Sequence, residues 1–228
     1  MKVKETFLSL QGEGIYTGVP TVFIRFAGCN LTKHCTYCDT VYAQDSRSGE
    51  ELSVEEVVNR TKGLAPYYKQ WVCITGGEPL WQEEELERLV DGLKREGCLV
   101  TIETNGSFKP PGWYTKVDSW SADVKCPSSG VCGVSREDWF RTRFCDQVKF
   151  VVGDHEDLAF VKAMLGRHKA DTPIILVSPM LPNNEAAGGK AFVANREFLQ
   201  IVWNFCTENR VRWSFQNHKI VFGNRQGV

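Results

Sequence analysis

Long apolar runs are missing from this sequence. No stretch approaches the ~18 consecutive apolar residues of a membrane span, and the start, Met1 to Phe7, has no apolar core of an export signal. A soluble, cytoplasmic protein is therefore expected. An excess of one charge is missing too. The 27 basic and 28 acidic residues leave a net charge of -1, without the electrostatic footprint of a general nucleic-acid or acidic-membrane binder. A small-molecule partner fits better. Internal repeats, low-complexity tracts and long charged tails are also absent. Nine cysteines, odd in number and irregular in spacing, do not read as a disulfide framework but as reduced thiols or metal ligands. With 42% hydrophobic residues in 228, the chain suffices for one sizeable core and is short for two, so residues 1–228 are expected to form a single domain.

What is present is concentrated in Gly28 to Thr40. Cys29, Cys35 and Cys38 are spaced C-x5-C-x2-C at the end of an apolar run, Val22 to Ala27, that reads as a buried strand. Three soft ligands suit an iron–sulfur cluster with one open iron, whereas a closed zinc site needs a fourth ligand that this loop offers only as His34. Both readings stand on spacing alone. Alternation along Thr21 to Ala27 puts Phe23, Arg25 and Ala27 on one face, so Arg25 is a lone charge in an apolar run and needs an anion, whether a ligand or a neighbour such as Glu13 or Asp123.

Along the chain, Val3 to Leu10 reads as a first strand and Gln11 to Gly14 as a glycine turn. Ser53 caps a helix reaching about Lys62, with Glu56 completing a capping box. Strands follow at Trp71–Ile74, Cys98–Ile102, Ser119–Val124, Gln147–Val152, Ile174–Val177 and Val211–Phe215, and helices at Glu83–Glu96, about Asp157–Arg167 and Asn195–Cys206. Strand–helix alternation implies a parallel sheet with right-handed crossovers. About six or seven mainly parallel strands are too few for a closed eight-stranded barrel and fit an α/β partial, TIM-like barrel. Polar groups gather where those strands end: Cys29, Thr75, Glu103, Asp123 with Lys125, Ser178, and Gln216 with His218. Barrel and open α/β folds place their active sites at that rim.

Five motifs in one order then carry a resemblance. Leu10-Gln11-Gly12-Glu13-Gly14, Arg25-Phe26-Ala27-Gly28-Cys29-Asn30, Cys38-Asp39-Thr40, Thr75-Gly76-Gly77-Glu78-Pro79 and Asp123-Val124-Lys125-Cys126-Pro127 resemble the 7-carboxy-7-deazaguanine synthase family of the radical S-adenosylmethionine (SAM) superfamily, which acts in queuosine and 7-deazapurine biosynthesis. The superfamily's usual C-x3-C-x2-C spacing is lengthened here in its first gap, and variable first gaps occur in this family. The resemblance implies a lyase that uses SAM and a 4Fe-4S cluster to contract the ring of 6-carboxy-5,6,7,8-tetrahydropterin with loss of ammonia, the hard chemistry belonging to the cofactor.

Carried over position by position, the resemblance implies a cluster on Cys29, Cys35 and Cys38 and Mg2+ (magnesium) at Thr40. SAM would meet Tyr37, Cys38, Asp39, Gly77, Asp123, Val124, Lys125, Ser178, Pro179, Met180 and Leu181. Substrate would meet Leu10, Gln11, Gly12, Glu13, Arg25 and Thr75, with Gln216 and His218 as further contacts. Gly77 is expected to admit a close backbone approach, and Arg25 to grip a carboxylate by its fork. An electron donor such as flavodoxin or ferredoxin and a homodimer are also implied. The rivals are a glycyl-radical activating enzyme, against which Arg25 and Gln11 facing one small pocket argue, and a non-enzymatic zinc module. Plainer readings also stand: a structural His218, a turn hydroxyl at Thr40, turn chemistry only at Gly12 and Gly14, and Cys126, Cys132 and Cys145 as structural thiols or an auxiliary cluster.

Overall fold

The computed structural model describes residues 1–65, 69–168, 173–181, 196–223 and 225–227. In chain order its main elements are β1 (Lys2–Leu10), β2 (Pro20–Phe26), β3 (Glu50–Glu51), α1 (Val54–Leu64), β4 (Trp71–Gly76), α2 (Glu83–Arg95), β5 (Leu99–Thr104), β6 (Ser119–Val124), β7 (Gln147–Val152), α3 (His155–Arg167), β8 (Ile174–Pro179), α4 (Arg196–Asn209), β9 (Arg212–Trp213) and α5 (Asn217–Phe222). The strands join one sheet in the order β3-β1-β2-β4-β5-β6-β7-β8-β9. From β2 to β9 every neighbouring pair is parallel. The sheet ends at β3 and β9 rather than closing, so the expected partial barrel is what the chain forms.

Three features depart from the sequence reading. β1 runs antiparallel to β2 and to the short β3, because the turn after Leu10 is a hairpin connection, too short for a crossover. The links from β5 to β6 and from β6 to β7 carry short 3-10 turns and no α-helix among the described residues. There Trp113, Trp120 and Trp139 pack with tilted rings, their centroids 5.6 and 5.3 Å apart, in and against the apolar core. The terminal strand is also shorter than expected, and α4 is described from Arg196 to Asn209, with Asn195 and the preceding Asn- and Gly-containing loop outside the described residues.

Period-two alternation divides the two faces of the sheet. On β2, Val22, Ile24 and Phe26 are fully buried among the helices' apolar residues, while Phe23 and Arg25 face the concave side. α1 starts as read: the Ser53 hydroxyl accepts from Glu56 N–H at 3.2 Å, and the Glu56 carboxylate accepts from Ser53 N–H at 2.7 Å. The glycine pair after β4 has a packing cause. A Cβ on Gly76 (φ +137°) would lie 2.2 Å from the Phe26 carbonyl oxygen, and one on Gly77 would lie 2.0 Å from that of Gly28. Bare backbone here lets the end of β4 lie against the root of the cysteine loop, where Glu78 N–H donates to Gly28 at 2.8 Å.

Candidate active site

The carboxyl ends of β2 and β4 to β7 surround a cavity of about 240 Å³. Cys29, Cys35, Cys38 and Thr40 stand on its wall, as do all eight residues expected to meet substrate: Leu10, Gln11, Gly12, Glu13, Arg25, Thr75, Gln216 and His218. Of the residues expected to meet SAM, Tyr37, Cys38, Asp39, Gly77, Asp123 and Lys125 line it, whereas Val124, Ser178, Pro179, Met180 and Leu181 do not. Val124 turns to the apolar core, and Ser178 is fully buried in β8, opposite Val151. Gly77 lines the cavity, and the close backbone approach that its missing side chain admits in the fold is that of the Gly28 carbonyl.

The cysteine loop, Ala27 to Thr40, contains neither helix nor strand. It is moored at its ends: Cys29 N–H donates to Gln44 at 2.9 Å, Thr36 N–H to Ser129 at 3.0 Å and Cys38 N–H to Cys35 at 3.2 Å. Burial pushes the Cys29 and Cys35 thiols up, and neighbouring cysteines add to the rise, so binding as thiolates needs a positive centre. As they stand, no three His, Cys, Asp or Glu side chains among the described residues converge to hold a metal ion. Neither a zinc site with exposed His34 nor an auxiliary cluster on Cys126, Cys132 and Cys145 is therefore preformed. On donor chemistry, three thiols on one irregular loop beside an open cavity fit a cluster with one iron left for a ligand, and such a loop can draw them together without disturbing the sheet. Thr40 caps nothing with its side chain; its hydroxyl lies 3.7 Å from Cys38 Sγ.

Arg25 finds its anion on the neighbouring strand. Its Nε donates to Glu5 Oε1 at 2.7 Å, directly across the β1–β2 pair, instead of to Glu13 or Asp123. Tyr42 donates its hydroxyl to the same oxygen at 2.7 Å. Deeper in the cavity the charges alternate. Lys125 Nζ lies 2.7 Å from Asp123, whose other oxygen is 3.3 Å from Lys149 Nζ; Lys149 in turn lies 2.7 Å from Glu13. His218 is 3.8 Å from Glu13 and 3.7 Å from Asp39, which Lys219 also approaches to 3.5 Å. Burial alone would push the Asp39 carboxyl up, but the His218 hydrogen bond and the charges of Lys219, His218 and Arg25 hold it well below the usual carboxylate range. Burial would likewise lower Lys125, yet Asp123 raises it above an ordinary lysine. Opposed buried charges favour the ionised forms of Glu13, Asp39, Asp123, Lys125 and Lys149.

Gln216 and Gln11 knit the side of the cavity that is expected to meet substrate. Gln216 Nε2 donates to Glu13 at 3.1 Å while its carbonyl accepts from Leu181 N–H at 3.2 Å. Gln11 Nε2 donates to Glu103 at 3.2 Å, and Thr75 donates to the other oxygen of Glu103 at 2.9 Å. Gly12 passes so close to His218 that a Cβ would sit 2.6 Å from Nδ1. Glu5, Tyr42, Glu103, Lys149 and Lys219 are site groups that sequence reasoning left unassigned. Lys149 carried a usable signal, since it is a lone charge in the apolar strand Gln147–Val152, the same signal that singled out Arg25. Glu5 and Tyr42 carried none, because nothing in their local sequence sets them beside Arg25.

Comparison with known proteins bears on the same elements. A model of the radical SAM superfamily matches residues 23–114, the stretch that holds the end of β2, the cysteine loop and the β4 glycine turn. A 7-carboxy-7-deazaguanine synthase from Methanospirillum hungatei is 41% identical over 79% of this chain and 73% of its own length. The enzyme of that name from Pyrobaculum aerophilum is 35% identical over 100% of this chain and 97% of its own. Among solved structures, QueE from Escherichia coli superposes with a TM-score of 0.67 at 24% identity, covering 95% of this chain and 94% of that one, which speaks for the fold. Coverage of nearly the whole chain at such identity, over a cavity that gathers the expected cysteines and polar residues, shows that the chain belongs to the 7-carboxy-7-deazaguanine synthase family of radical SAM enzymes.

Proposed function

We propose that this protein converts 6-carboxy-5,6,7,8-tetrahydropterin to 7-carboxy-7-deazaguanine with loss of ammonia, acting as one domain in the biosynthesis of queuosine and other 7-deazapurines. The observation that carries the reading is the meeting of three loop thiols and all eight expected substrate residues on one cavity wall. The 4Fe-4S cluster on Cys29, Cys35 and Cys38, with SAM bound, supplies a 5'-deoxyadenosyl radical when a reductant delivers an electron. The chain's task is to bind, orient and shield.

Arg25 holds the substrate carboxylate. Its Nε is occupied by Glu5, and its two Nη groups have no hydrogen-bond partner among the described residues, which leaves the end of the fork for an anion on the cavity side. Gln11, Gly12, Glu13 and Thr75, with Glu103 behind them, offer donors and acceptors to a pterin ring, and Leu10, Gln216 and His218 close that side. Tyr37, Cys38, Asp39, Gly77, Asp123 and Lys125 hold SAM on the facing wall, with Val124 and Ser178 to Leu181 supporting it from the adjoining strand ends. Thr40 and the substrate carboxylate together hold Mg2+, whose hard, oxygen-seeking character suits a hydroxyl plus ligand oxygens and water. Flavodoxin or ferredoxin serves as donor, and a homodimer covers part of the open sheet's edges. No helix among the described residues is long and apolar enough to cross a membrane, in keeping with a cytoplasmic enzyme.

The test is turnover by protein purified and reconstituted without oxygen. About four irons per chain, a broad band near about 400 nm and conversion of the carboxy-tetrahydropterin in the presence of SAM and reductant are the expected results. A colourless zinc protein, or 5'-deoxyadenosine formed with a glycyl-radical protein and never with the pterin, would defeat the proposal.

A further inference from the structure

Lys149 is the one lysine of β7, and its ammonium lies at the centre of the cavity's charges. Its side chain is 10% exposed. It reaches Glu13 Oε2 at 2.7 Å and Asp123 Oδ1 at 3.3 Å, and Glu103 adds to the field that keeps it charged. The two carboxylates belong to different halves of the site. Asp123, next to last in β6, shares its second oxygen with Lys125 and stands on the nucleoside side. Glu13 sits on the β1–β2 turn with Gln11 and Gly12 on the pterin side.

Within itself that turn has one short 3-10 helix, Gly14–Tyr16, and backbone bonds such as Gln11 N–H to Val19 at 2.9 Å and Gly18 N–H to Gln11 at 2.8 Å, and it is also held from across the cavity. β7 contributes Gln147, which accepts from Ile15 N–H at 3.0 Å, and Lys149 on Glu13. From the C-terminal side come Ser214, which accepts from Gly14 N–H at 3.0 Å, Asn217 N–H, which donates to Gly12 at 3.1 Å, and Gln216 on Glu13. Only Lys149 among these also touches Asp123.

We infer that Lys149 is a positioning residue that couples the two ligands: one buried ammonium shared by Asp123 and Glu13 sets the pterin side against the nucleoside side. The inference rests on the functional reading above, which assigns those two sides. Hydrogen abstraction tolerates little error in the separation of the reacting carbons, and a displacement of about 1 Å can lower a rate ~100-fold. A ligand that orders Asp123 also pins Lys149, and so Glu13, before the second ligand arrives. Coupling through such a shared group is reciprocal and is commonly at least ~5-fold in affinity.

The test is equilibrium binding of the carboxy-tetrahydropterin to holoenzyme with its cluster oxidised, where no turnover occurs, with and without saturating SAM. In the wild type SAM is expected to tighten pterin binding at least ~5-fold. In Lys149→Met, which keeps the stem and removes the charge, the factor is expected to fall below about 2 while each ligand alone binds within about 3-fold of wild type; Lys149→Arg restores coupling. Under reduction, Lys149→Met should raise the ratio of 5'-deoxyadenosine to deazapurine product by about 10-fold or more. If Lys149→Met fails to fold, the charge-balanced Lys149→Met/Glu13→Gln takes its place, again with coupling lost and SAM affinity kept. Full coupling in either folded variant, or no coupling in the wild type, would overturn the inference alone. A wild type that binds no pterin at all would instead overturn the functional reading beneath it.

Discussion

Arg25 shows how much one side chain can carry. Its desolvation is offset by Glu5, which is itself braced by Tyr42, so the guanidinium arrives at the cavity preorganised. Arg25→Lys keeps the charge but loses the planar fork. Substrate affinity should fall by about 1.5–3 kcal/mol, while reductive cleavage of SAM without substrate persists. Loss of that cleavage with normal substrate binding would move Arg25 to the cofactor. Thr40 makes a second residue-scale prediction. Its hydroxyl makes no backbone cap and meets Cys38 Sγ in a long hydrogen bond of 3.7 Å, a bond to a thiol that the cluster would engage, which would turn the hydroxyl to a hard cation. Thr40→Ala should slow product formation and blunt activation by Mg2+ without altering the cluster's spectrum. Undiminished Mg2+ activation in that variant would put the ion elsewhere.

Between the ends of β4 and β5, a single acid ties two elements together. Glu78 is fully buried and accepts from Leu80 N–H at 3.0 Å, the Thr104 hydroxyl at 2.8 Å and Asn105 N–H at 2.7 Å. Burial outweighs these three donors and pushes its carboxyl up to about 7. Since the folded pKa lies above the ordinary 4.5, the folded state binds this proton more tightly, and the resulting stability is complete below about pH 4.5 and lost as pH rises through about 7. Glu78→Gln sets an amide N–H against converging donors and should cost about 1–3 kcal/mol. It also removes the titration, so the wild type's advantage should be larger at pH 5 than at pH 7, by up to ~1.4 kcal/mol per pH unit. Urea unfolding of both proteins at the two pH values measures it. An advantage independent of pH would mean that the three donors, and not burial, set the state of Glu78.

Across the whole molecule, stability and chemistry occupy opposite faces of one sheet. The apolar core lies between the sheet's outer face and its helices and includes none of Cys29, Cys35 and Cys38. Replacing all three with serine should therefore abolish iron binding while leaving the far-ultraviolet circular dichroism of the apoprotein unchanged and its Tm within about 4 °C, the shift of about 1 kcal/mol at this size. Loss of cooperative unfolding in that variant would show that the cysteine loop belongs to the folding core. Replacing Cys126, a fully buried thiol of the core, should do the reverse, lowering stability and sparing the iron.

Local signals carried the sequence reading far. Period-two and helical patterns, the Ser53–Glu56 capping box and the glycine turns follow from backbone geometry within a few residues, and they were enough to draw the parallel strands and the rim where they end. Thiol spacing and motif order singled out three cysteines and eight candidate substrate residues, all of which the fold brings to one cavity. Partnership across strands was not legible, because it depends on register and on which side chains a closed surface brings within about 3 Å of each other. Arg25 needed an anion from its sequence context alone, but only the antiparallel pairing of β1 with β2 chose Glu5. The glycine pair after β4 was visible in the sequence, but only tertiary contact shows which backbone each glycine admits, the Phe26 carbonyl at Gly76 and the Gly28 carbonyl at Gly77. Lys149 was visible as a charge in an apolar strand; that it joins Glu13 to Asp123, residues 110 positions apart in the chain, was decided by the β6–β7 register, which pairs Lys149 with Asp123, and by the folding of the β1–β2 turn, which brings Glu13 to the same ammonium.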